Sequence, residues 1–137
     1  PQSHVIQSAV HRLGLDGEFQ FAGFVEDMGQ FYEELDVYLS TSIHEGLPMS
    51  VLEAMEHGLP IVAPLVGGFE EIITNGVEGF LVAKRDSQSF AKQCLVLCQD
   101  HELRKKMGQA ARDKVSDHFS MEKMVSEYAK TYHQLAA

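Results

Sequence analysis

The chain has 137 residues, of which 45% are hydrophobic and 23% charged, with a formal net charge of −9 at pH 7. These values are typical of one soluble globular domain with a single core. The acidic balance argues against a general surface for nucleic acid, and no apolar run approaches the roughly 20 residues of a membrane span. We therefore expect no nucleic-acid partner, no transmembrane segment and a cytoplasmic location.

Apolar segments and turn signals alternate along the chain in a β–α order. Strands that are apolar on both faces, with helices between them, predict a parallel Rossmann-like sheet flanked by helices. From about residue 87 the pattern is helical only and predicts a C-terminal cap on a single domain over residues 1–137. In order, we expect a helix over 3–15, a strand over 19–25, a helix over 28–35, a strand over 36–40, a helix from near 47–50 to Gly58, a strand over 60–64, a helix over 69–74, a strand over 80–83, and helices over 87–99, 101–117 and 120–135.

The loop before the third of these helices is suited to bind an anion. Pro48 suits the first turn of a helix and Gly58 stops it, which places the N-terminus near residues 47–50. Free amides and the positive end of the helix dipole make such an N-terminus a phosphate site. Gly46 has no side chain and lets a ligand approach the backbone closely.

Two carboxylates stand on either side of these amides. Glu45 precedes them in the loop, and Glu53 lies a turn or so into the helix. Carboxylates accept paired hydrogen bonds from vicinal hydroxyls, so the loop is suited to a ligand that carries both phosphate and sugar. Gly67 and Gly68 follow the next strand and repeat the turn-and-helix pattern; they are second candidates, and a role as turn glycines alone remains open.

Histidine and cysteine residues give no metal-site pattern. His44 and Glu45 begin an H-E-x-x-H sequence, but Pro48 stands where the second histidine is required. Cys94 and Cys98 are four positions apart in a helical pattern, a spacing that does not suit a disulfide and favours burial in a core. We therefore expect neither a metal nor a cofactor.

The sequence E-G-L-P-M-S-V-L-E-A-M-E-H-G-L-P resembles the glutamate–seven–glutamate motif of retaining GT-B glycosyltransferases, the glycosyltransferase 4 or group 1 family. The resemblance continues through I-V-A-P-L-V-G-G-F-E-E-I-I, N-G-V-E-G-F-L-V and, upstream, F-A-G-F-V. It implies the C-terminal, donor-binding half of a GT-B enzyme, truncated at its N-terminal side. The missing partner would be an N-terminal acceptor domain, and the full-length protein would be membrane-peripheral.

The resemblance also implies a reaction and residue roles. The reaction is transfer of a sugar from a nucleotide diphosphate sugar to an acceptor, with retention of anomeric configuration. Glu45 is implied as the catalytic residue beside the donor sugar, Glu53 as the ribose ligand, and the Ser50 hydroxyl with nearby amides as the diphosphate site. The implied donor-binding residues are Glu45, Gly46, Leu47, Pro48, Met49, Ser50, Val51, Glu53, Gly67 and Gly68, and the candidates for contact with the base are Phe24, Val25 and Glu26.

The glutamate pair and the chain each have another interpretation. A glycosidase pair is disfavoured, because eight positions of continuous helix would separate Glu45 from Glu53 by about 12 Å along the axis. A non-catalytic Rossmann-like binding or interaction module is the alternative from another class. In the resembled family an upstream Arg and Lys neutralise the diphosphate, so we expect the chain alone to bind nucleotide weakly and not to turn over. Exposed apolar surface predicts self-association.

Overall fold

A computed structural model describes residues 3–135 of the chain. The predicted helices are found at their places, with ends that differ by a few residues. In chain order the elements are α1 Ser3–Arg12, α2 Met28–Glu33, β1 Tyr38–Leu39, α3 Met49–Glu56, β2 Ile61–Pro64, α4 Phe69–Ile72, β3 Gly79–Val82, α5 Ser87–Gln99, α6 His101–His118 and α7 Met121–Leu135.

The strands form one parallel sheet in the order β1–β2–β3. Tyr38 pairs with Ile61, which in turn pairs with Gly79 on the other side. All residues of the central strand β2 are buried, because helices cover both faces of the sheet. The α/β prediction of a parallel sheet flanked by helices is therefore confirmed.

Two hydrophobic clusters lie on opposite faces of the sheet. Ile61 and Ala63 of β2 belong to the first cluster, whereas Val62 between them belongs to the second, as the alternation of side chains along a strand requires. The first cluster joins α3 and α4 to Ala111 of α6. The second joins β3 and α5 to Met107 of the same helix. Helix α6 therefore ties the two cores together.

The strand predicted over residues 19–25 is not found in the described chain, and that prediction is wrong. Phe19, Phe21 and Phe24 are 48%, 43% and 90% exposed. The apolar alternation is real, but a strand exists only where a neighbour completes its hydrogen-bond ladder, and no described strand lies beside this segment. Gly23, with φ of 68°, also interrupts the extended run.

The apolar stripes predicted for the first and last helices are largely exposed. In α1 only Val10 is buried, and in the described part of α7 no residue is buried. Cys98 is exposed while Cys94 is half-buried, so the core role predicted for Cys98 is wrong. Helical periodicity defines an apolar face but not whether another surface covers it. Within residues 3–135, no helix combines the length and the apolar character needed to cross a bilayer.

Candidate functional site

The first turn of α3 presents unpaired backbone amides. Pro48 is the N-cap rather than a first-turn residue, with extended backbone (φ −76°, ψ 95°), and its carbonyl accepts the amides of Val51 and Leu52 at 3.0 and 3.3 Å. The amides of Met49 and Ser50 have no acceptor among the described residues. Two donors are therefore left at the positive end of the helix. The Val51 side chain is buried in the core.

Gly67 and Gly68 lie directly against the loop that carries Glu45 and Gly46. The Gly68 amide donates to the carbonyl oxygen of Glu45 at 3.3 Å. A Cβ on Gly68 would overlap the Gly46 carbonyl oxygen, and one on Gly67 would overlap that of Glu45. Gly67 also has φ of 51°, which disfavours other residues. The second glycine turn therefore fixes the position of the first loop.

Glu45 is anchored through its backbone rather than its side chain. The residue is half-buried in the loop before α3, and its carbonyl accepts the Gly68 amide. Within residues 3–135 no hydrogen bond or ion pair reaches its carboxylate. Both carboxylate oxygens are therefore available to accept hydrogen bonds from a ligand.

Glu53 lies one turn into α3 and is held by a tyrosine of α2. The hydroxyl of Tyr32 donates to Glu53 Oε2 at 3.0 Å and lies 3.3 Å from the carbonyl oxygen of Ser50. Burial raises the pKa of Tyr32, and the hydrogen bond to Glu53 and the charge of that carboxylate raise it further. The phenol therefore remains a proton donor at neutral pH.

A second tyrosine contacts the side chain of Ser50. The hydroxyl of Tyr38 in β1 donates to Ser50 Oγ at 2.9 Å. Because this oxygen accepts from Tyr38, the Ser50 proton is free to be donated to another acceptor. Ser50 and the neighbouring Met49 are exposed, so the hydroxyl and the two free amides share one accessible surface.

One pocket is lined by residues of this site, and a second lies at the neighbouring edge of the sheet. Glu53 and Met49 line one of about 680 Å³ between α3 and the junction of α6 with α7. Leu39, Ile43 and Pro64 line another of about 490 Å³ at the carboxyl ends of β1 and β2. Ligands of parallel sheets bind at that edge, which is also where the Glu45 loop and the Gly67 turn meet.

The candidates for contact with a base lie on the segment before α2. Phe24 and Glu26 are exposed, and Val25 lines a shallow pocket of about 300 Å³. The next residue, Asp27, caps α2 by accepting the Gln30 amide at 3.0 Å. The same short helix carries Tyr32, so this segment is continuous with the group that contacts Glu53.

Sequence reasoning missed Tyr32 and Tyr38. The available signal was weak: each is an aromatic residue with a polar tip in an apolar stripe, one on α2 and one on β1. A buried tyrosine hydroxyl needs a partner, but the sequence does not say which one. Tyr32 donates to Glu53, 21 positions away in the chain, and Tyr38 donates to Ser50, 12 positions away.

Comparisons with known proteins identify relatives along nearly the whole chain. The profile of the family described as "Glycosyl transferases group 1" matches residues 1–114. N-acetyl-alpha-D-glucosaminyl L-malate synthase of Bacillus anthracis is 32% identical over 135 residues, which are 98% of this chain and 35% of that protein. The putative glycosyltransferase EpsD of Bacillus subtilis is 37% identical over 129 residues, 94% of this chain and 34% of that protein. The chain spans about a third of the length of these curated relatives.

Solved structures show the same architecture. Anabaena HepE, crystallised in complex with UDP, has a TM-score of 0.92 at 28% identity, covering 96% of this chain and 36% of that one. The C-terminal domain of the group 1 glycosyl transferase LpcC from Francisella tularensis has a TM-score of 0.79 at 30% identity, covering 86% of this chain and 62% of that one. The expected fold, the C-terminal half of a GT-B glycosyltransferase, is therefore confirmed. The chain belongs to the glycosyl transferases group 1 family.

Proposed function

We propose that this chain is the donor-binding domain of a glycosyltransferase that moves a sugar from a nucleotide diphosphate sugar to an acceptor. The observation that carries the proposal is the meeting of two free amides and two accessible glutamates at the N-terminus of α3. Family membership supports it, and so do the relatives: HepE is described in complex with UDP and with UDP-glucose. A uridine nucleotide is accordingly the first donor to test.

Each group has a role that follows from its chemistry. The amides of Met49 and Ser50, with the Ser50 hydroxyl, bind the diphosphate and stabilise the charge that develops on it as the leaving group. Glu53 accepts hydrogen bonds from the ribose hydroxyls. Glu45 accepts hydrogen bonds from the donor sugar and stabilises positive charge at the anomeric carbon. The family resemblance implies that the product retains the configuration of the donor.

The remaining candidate residues shape the site. Gly46 and Leu47 continue the row of backbone groups before the helix, and Pro48 caps it. Val51 anchors the first turn in the core, since its side chain is buried and its amide is bonded to Pro48. Gly67 and Gly68 hold the loop from the other side. We propose that no metal or cofactor takes part: the amide donors at the helix N-terminus contribute to diphosphate binding, and the upstream Arg and Lys that the resemblance implies neutralise its charge.

We further propose that residues 1–137 act as one nucleotide-sugar-binding domain beside an acceptor domain elsewhere in the full-length protein. The support is that the matched relatives are about three times as long. One side of a cleft cannot exclude water, so the chain alone binds donor weakly and does not turn over. A measurable transfer rate from the purified chain would contradict this.

Self-association and location are separate predictions. The exposed apolar stripe of α7 supports association of the isolated chain, which light scattering at increasing concentration tests; a monomer throughout would contradict it. The stripe is formed by Met121, Met124, Val125, Tyr128, Tyr132 and Leu135. We predict a cytoplasmic, membrane-peripheral location for the full-length protein. Fractionation of cells that express it tests this prediction.

Calorimetric titration with uridine, guanosine and adenosine diphosphates tests the donor site. Wild type is compared with Glu53→Ala and with Glu56→Ala, a matched control that removes an exposed carboxylate from the same helix without touching Tyr32. We expect one diphosphate to bind, with an affinity about tenfold lower in Glu53→Ala and unchanged in Glu56→Ala. If the chain alone binds nucleotide too weakly for calorimetry, the full-length protein is used. Absence of binding there would overturn the proposal in favour of an interaction module.

The stereochemical course is tested on the same protein. With the full-length protein and a donor of known anomeric configuration, proton NMR of the first product formed reports the configuration of the new linkage. We expect retention. Inversion would leave donor binding intact and remove the role proposed for Glu45.

A further inference from the structure

Within residues 3–135, the hydroxyl of Tyr32 is the one group that donates a hydrogen bond to the Glu53 carboxylate. It donates to Oε2 at 3.0 Å and leaves Oε1 without a protein partner within residues 3–135. The Glu53 side chain is otherwise exposed. A free glutamate side chain rotates about several bonds, and fixing it costs rotamer entropy at the moment a ligand binds. A bond that fixes the carboxylate beforehand lowers that cost.

Tyr32 itself is held in place from several sides. Its side chain is 2% exposed and belongs to the cluster formed by α3, α4 and β2. The ring of His57 lies 5.2 Å from its own, and that of Tyr38 lies 6.2 Å away. The carbonyl of Ser50 lies 3.3 Å from its hydroxyl, which limits where the oxygen can move. The donor that faces Glu53 is therefore part of the rigid core.

The backbone of α3 fixes the position of Glu53 relative to the free amides at the start of the helix. Glu53 lies one turn beyond the free amides of Met49 and Ser50, so the distance between the diphosphate donors and the carboxylate depends on its rotamer alone. Two vicinal hydroxyls can both donate to one carboxylate only when they lie near its plane, along the lone-pair directions of its oxygens. One rotamer, selected by Tyr32, sets that orientation.

We propose that Tyr32 is a positioning residue for the ribose of the nucleotide, acting through Glu53. This inference rests on the proposed function and deepens it. Tyr32 does not contact the ligand. It holds Oε2 so that Oε1 and the outer lone pairs of the carboxylate meet the 2′- and 3′-hydroxyls. Discrimination between ribonucleotides and deoxyribonucleotides therefore depends on a phenol in the core.

The test compares UDP with 2′-deoxy-UDP in wild type, Tyr32→Phe and Glu53→Ala, by calorimetry on the full-length protein. Tyr32→Phe keeps the buried ring and removes only the hydroxyl. We expect wild type to prefer UDP by about tenfold, and Tyr32→Phe to lose about fivefold in UDP affinity with little change for the deoxynucleotide. The preference then falls toward that of Glu53→Ala. A merely structural role would weaken both ligands equally and leave the ratio unchanged.

Two further variants separate the causes. Tyr38→Phe removes the other tyrosine hydroxyl, which bonds Ser50, and is expected to leave the ratio of UDP to 2′-deoxy-UDP at its wild-type value. Glu53→Asp keeps the charge and the packing of Tyr32 but shortens the side chain beyond the reach of the hydroxyl, so the ratio is expected to fall. This variant serves if Tyr32→Phe proves too unstable to assay.

The possible results distinguish failure of the positioning role from failure of the proposed function. A wild-type ratio in Tyr32→Phe or Glu53→Asp, with UDP affinity still lost in Glu53→Ala, overturns the positioning role and leaves the proposed function standing. Absence of nucleotide binding in the wild-type full-length protein overturns both. In the double variant Tyr32→Phe/Glu53→Ala we expect the same UDP affinity as in Glu53→Ala alone, and an additive loss would contradict action through Glu53.

Discussion

Glu53 and Glu78 are both glutamates, but they differ in exposure and in the number of bonds to their carboxylates. Glu78 is 5% exposed; its Oε2 accepts the Thr74 amide at 2.6 Å, and its Oε1 lies 3.3 Å from Lys114 Nζ, which also donates to Thr74 Oγ1 at 2.9 Å. Glu53 is exposed and accepts one hydrogen bond, from Tyr32. Within residues 3–135, the fold uses both oxygens of the Glu78 carboxylate and only one oxygen of the Glu53 carboxylate. A carboxylate whose acceptor sites the protein fills is structural, and one left partly open is equipped to bind.

The two glutamates also lie at opposite edges of the sheet. The carbonyl of Glu78 accepts the Ile61 amide where β2 begins, at the amino edge of the strands. Helix α3 starts beside the loop that follows β1, where Gly68 of the turn after β2 meets it. That is the carboxyl edge, at which parallel sheets bind ligands. The glutamate with a free acceptor oxygen, Glu53, thus lies near the carboxyl edge, and the one with both oxygens bonded, Glu78, lies at the amino edge.

The largest effect is expected for Glu78→Ala. It leaves the partly buried Lys114 and the Thr74 amide without their acceptor, and removal of one partner of a buried pair costs about 3 kcal/mol or more. Denaturant unfolding measures the loss. Glu53→Ala is the comparison and is expected to cost about 1 kcal/mol, because the buried Tyr32 hydroxyl loses one acceptor and keeps the Ser50 carbonyl oxygen 3.3 Å away. Equal losses from the two variants would remove the distinction between them.

Two glycine substitutions sharpen the contrast between binding edge and scaffold. A Cβ on Gly68 would overlap the Gly46 carbonyl oxygen, and one on Gly108 would overlap that of Gly58 between α6 and α3. Overpacking of this kind costs about 1–3 kcal/mol, so both alanine variants should melt earlier. Below the melting temperature, only Gly68→Ala should lower nucleotide affinity, because only it displaces the Glu45 loop. An equal loss of affinity in Gly108→Ala would contradict this assignment.

Asp86 is a half-buried carboxylate whose effect on stability is limited to acid pH. Hydrogen bonds from the Ser89 hydroxyl at 2.6 Å and the Ser89 amide at 3.0 Å lower the pKa of Asp86 as it caps α5. Because the pKa is lower in the folded than in the unfolded chain, the stabilisation is present above the unfolded value and is lost as pH falls through the folded value. Melting temperatures measured at decreasing pH should fall less steeply in Asp86→Asn. Identical slopes would show that the cap does not titrate in this way.

The smallest effect concerns two cysteines in unlike surroundings on one helix. Burial raises the pKa of Cys94, and the nearby Cys98 thiol raises it further, while Cys98 itself is exposed. The thiolate is the reactive form, so iodoacetamide at mildly alkaline pH should modify Cys98 several-fold faster than Cys94. Peptide mass spectrometry over a time course measures both rates. Faster reaction at Cys94 would contradict the burial described for it.

Much of the fold followed from the sequence because its signals are local. Gly58, with φ of 74°, ends α3 as predicted, and the apolar run of β2 is buried on both faces. The loop around Glu45 and Gly46 could be predicted as a candidate site because an amide row at a helix start and its flanking carboxylates are close in the chain. Local backbone preference and side-chain periodicity suffice for such features.

The tertiary structure decided what depends on contacts between distant segments. Tyr32 reaches Glu53 across 21 positions, and Gly68 meets the Glu45 carbonyl across a strand and a helix. The segment over 19–25 has a strand pattern but no partner to pair with, and the apolar face of α7 has no cover within residues 3–135. A sequence records which side chains can pair or pack. Which pairs form is decided by the free energy of the whole fold, since each long-range contact must repay the entropy of closing the chain between its partners.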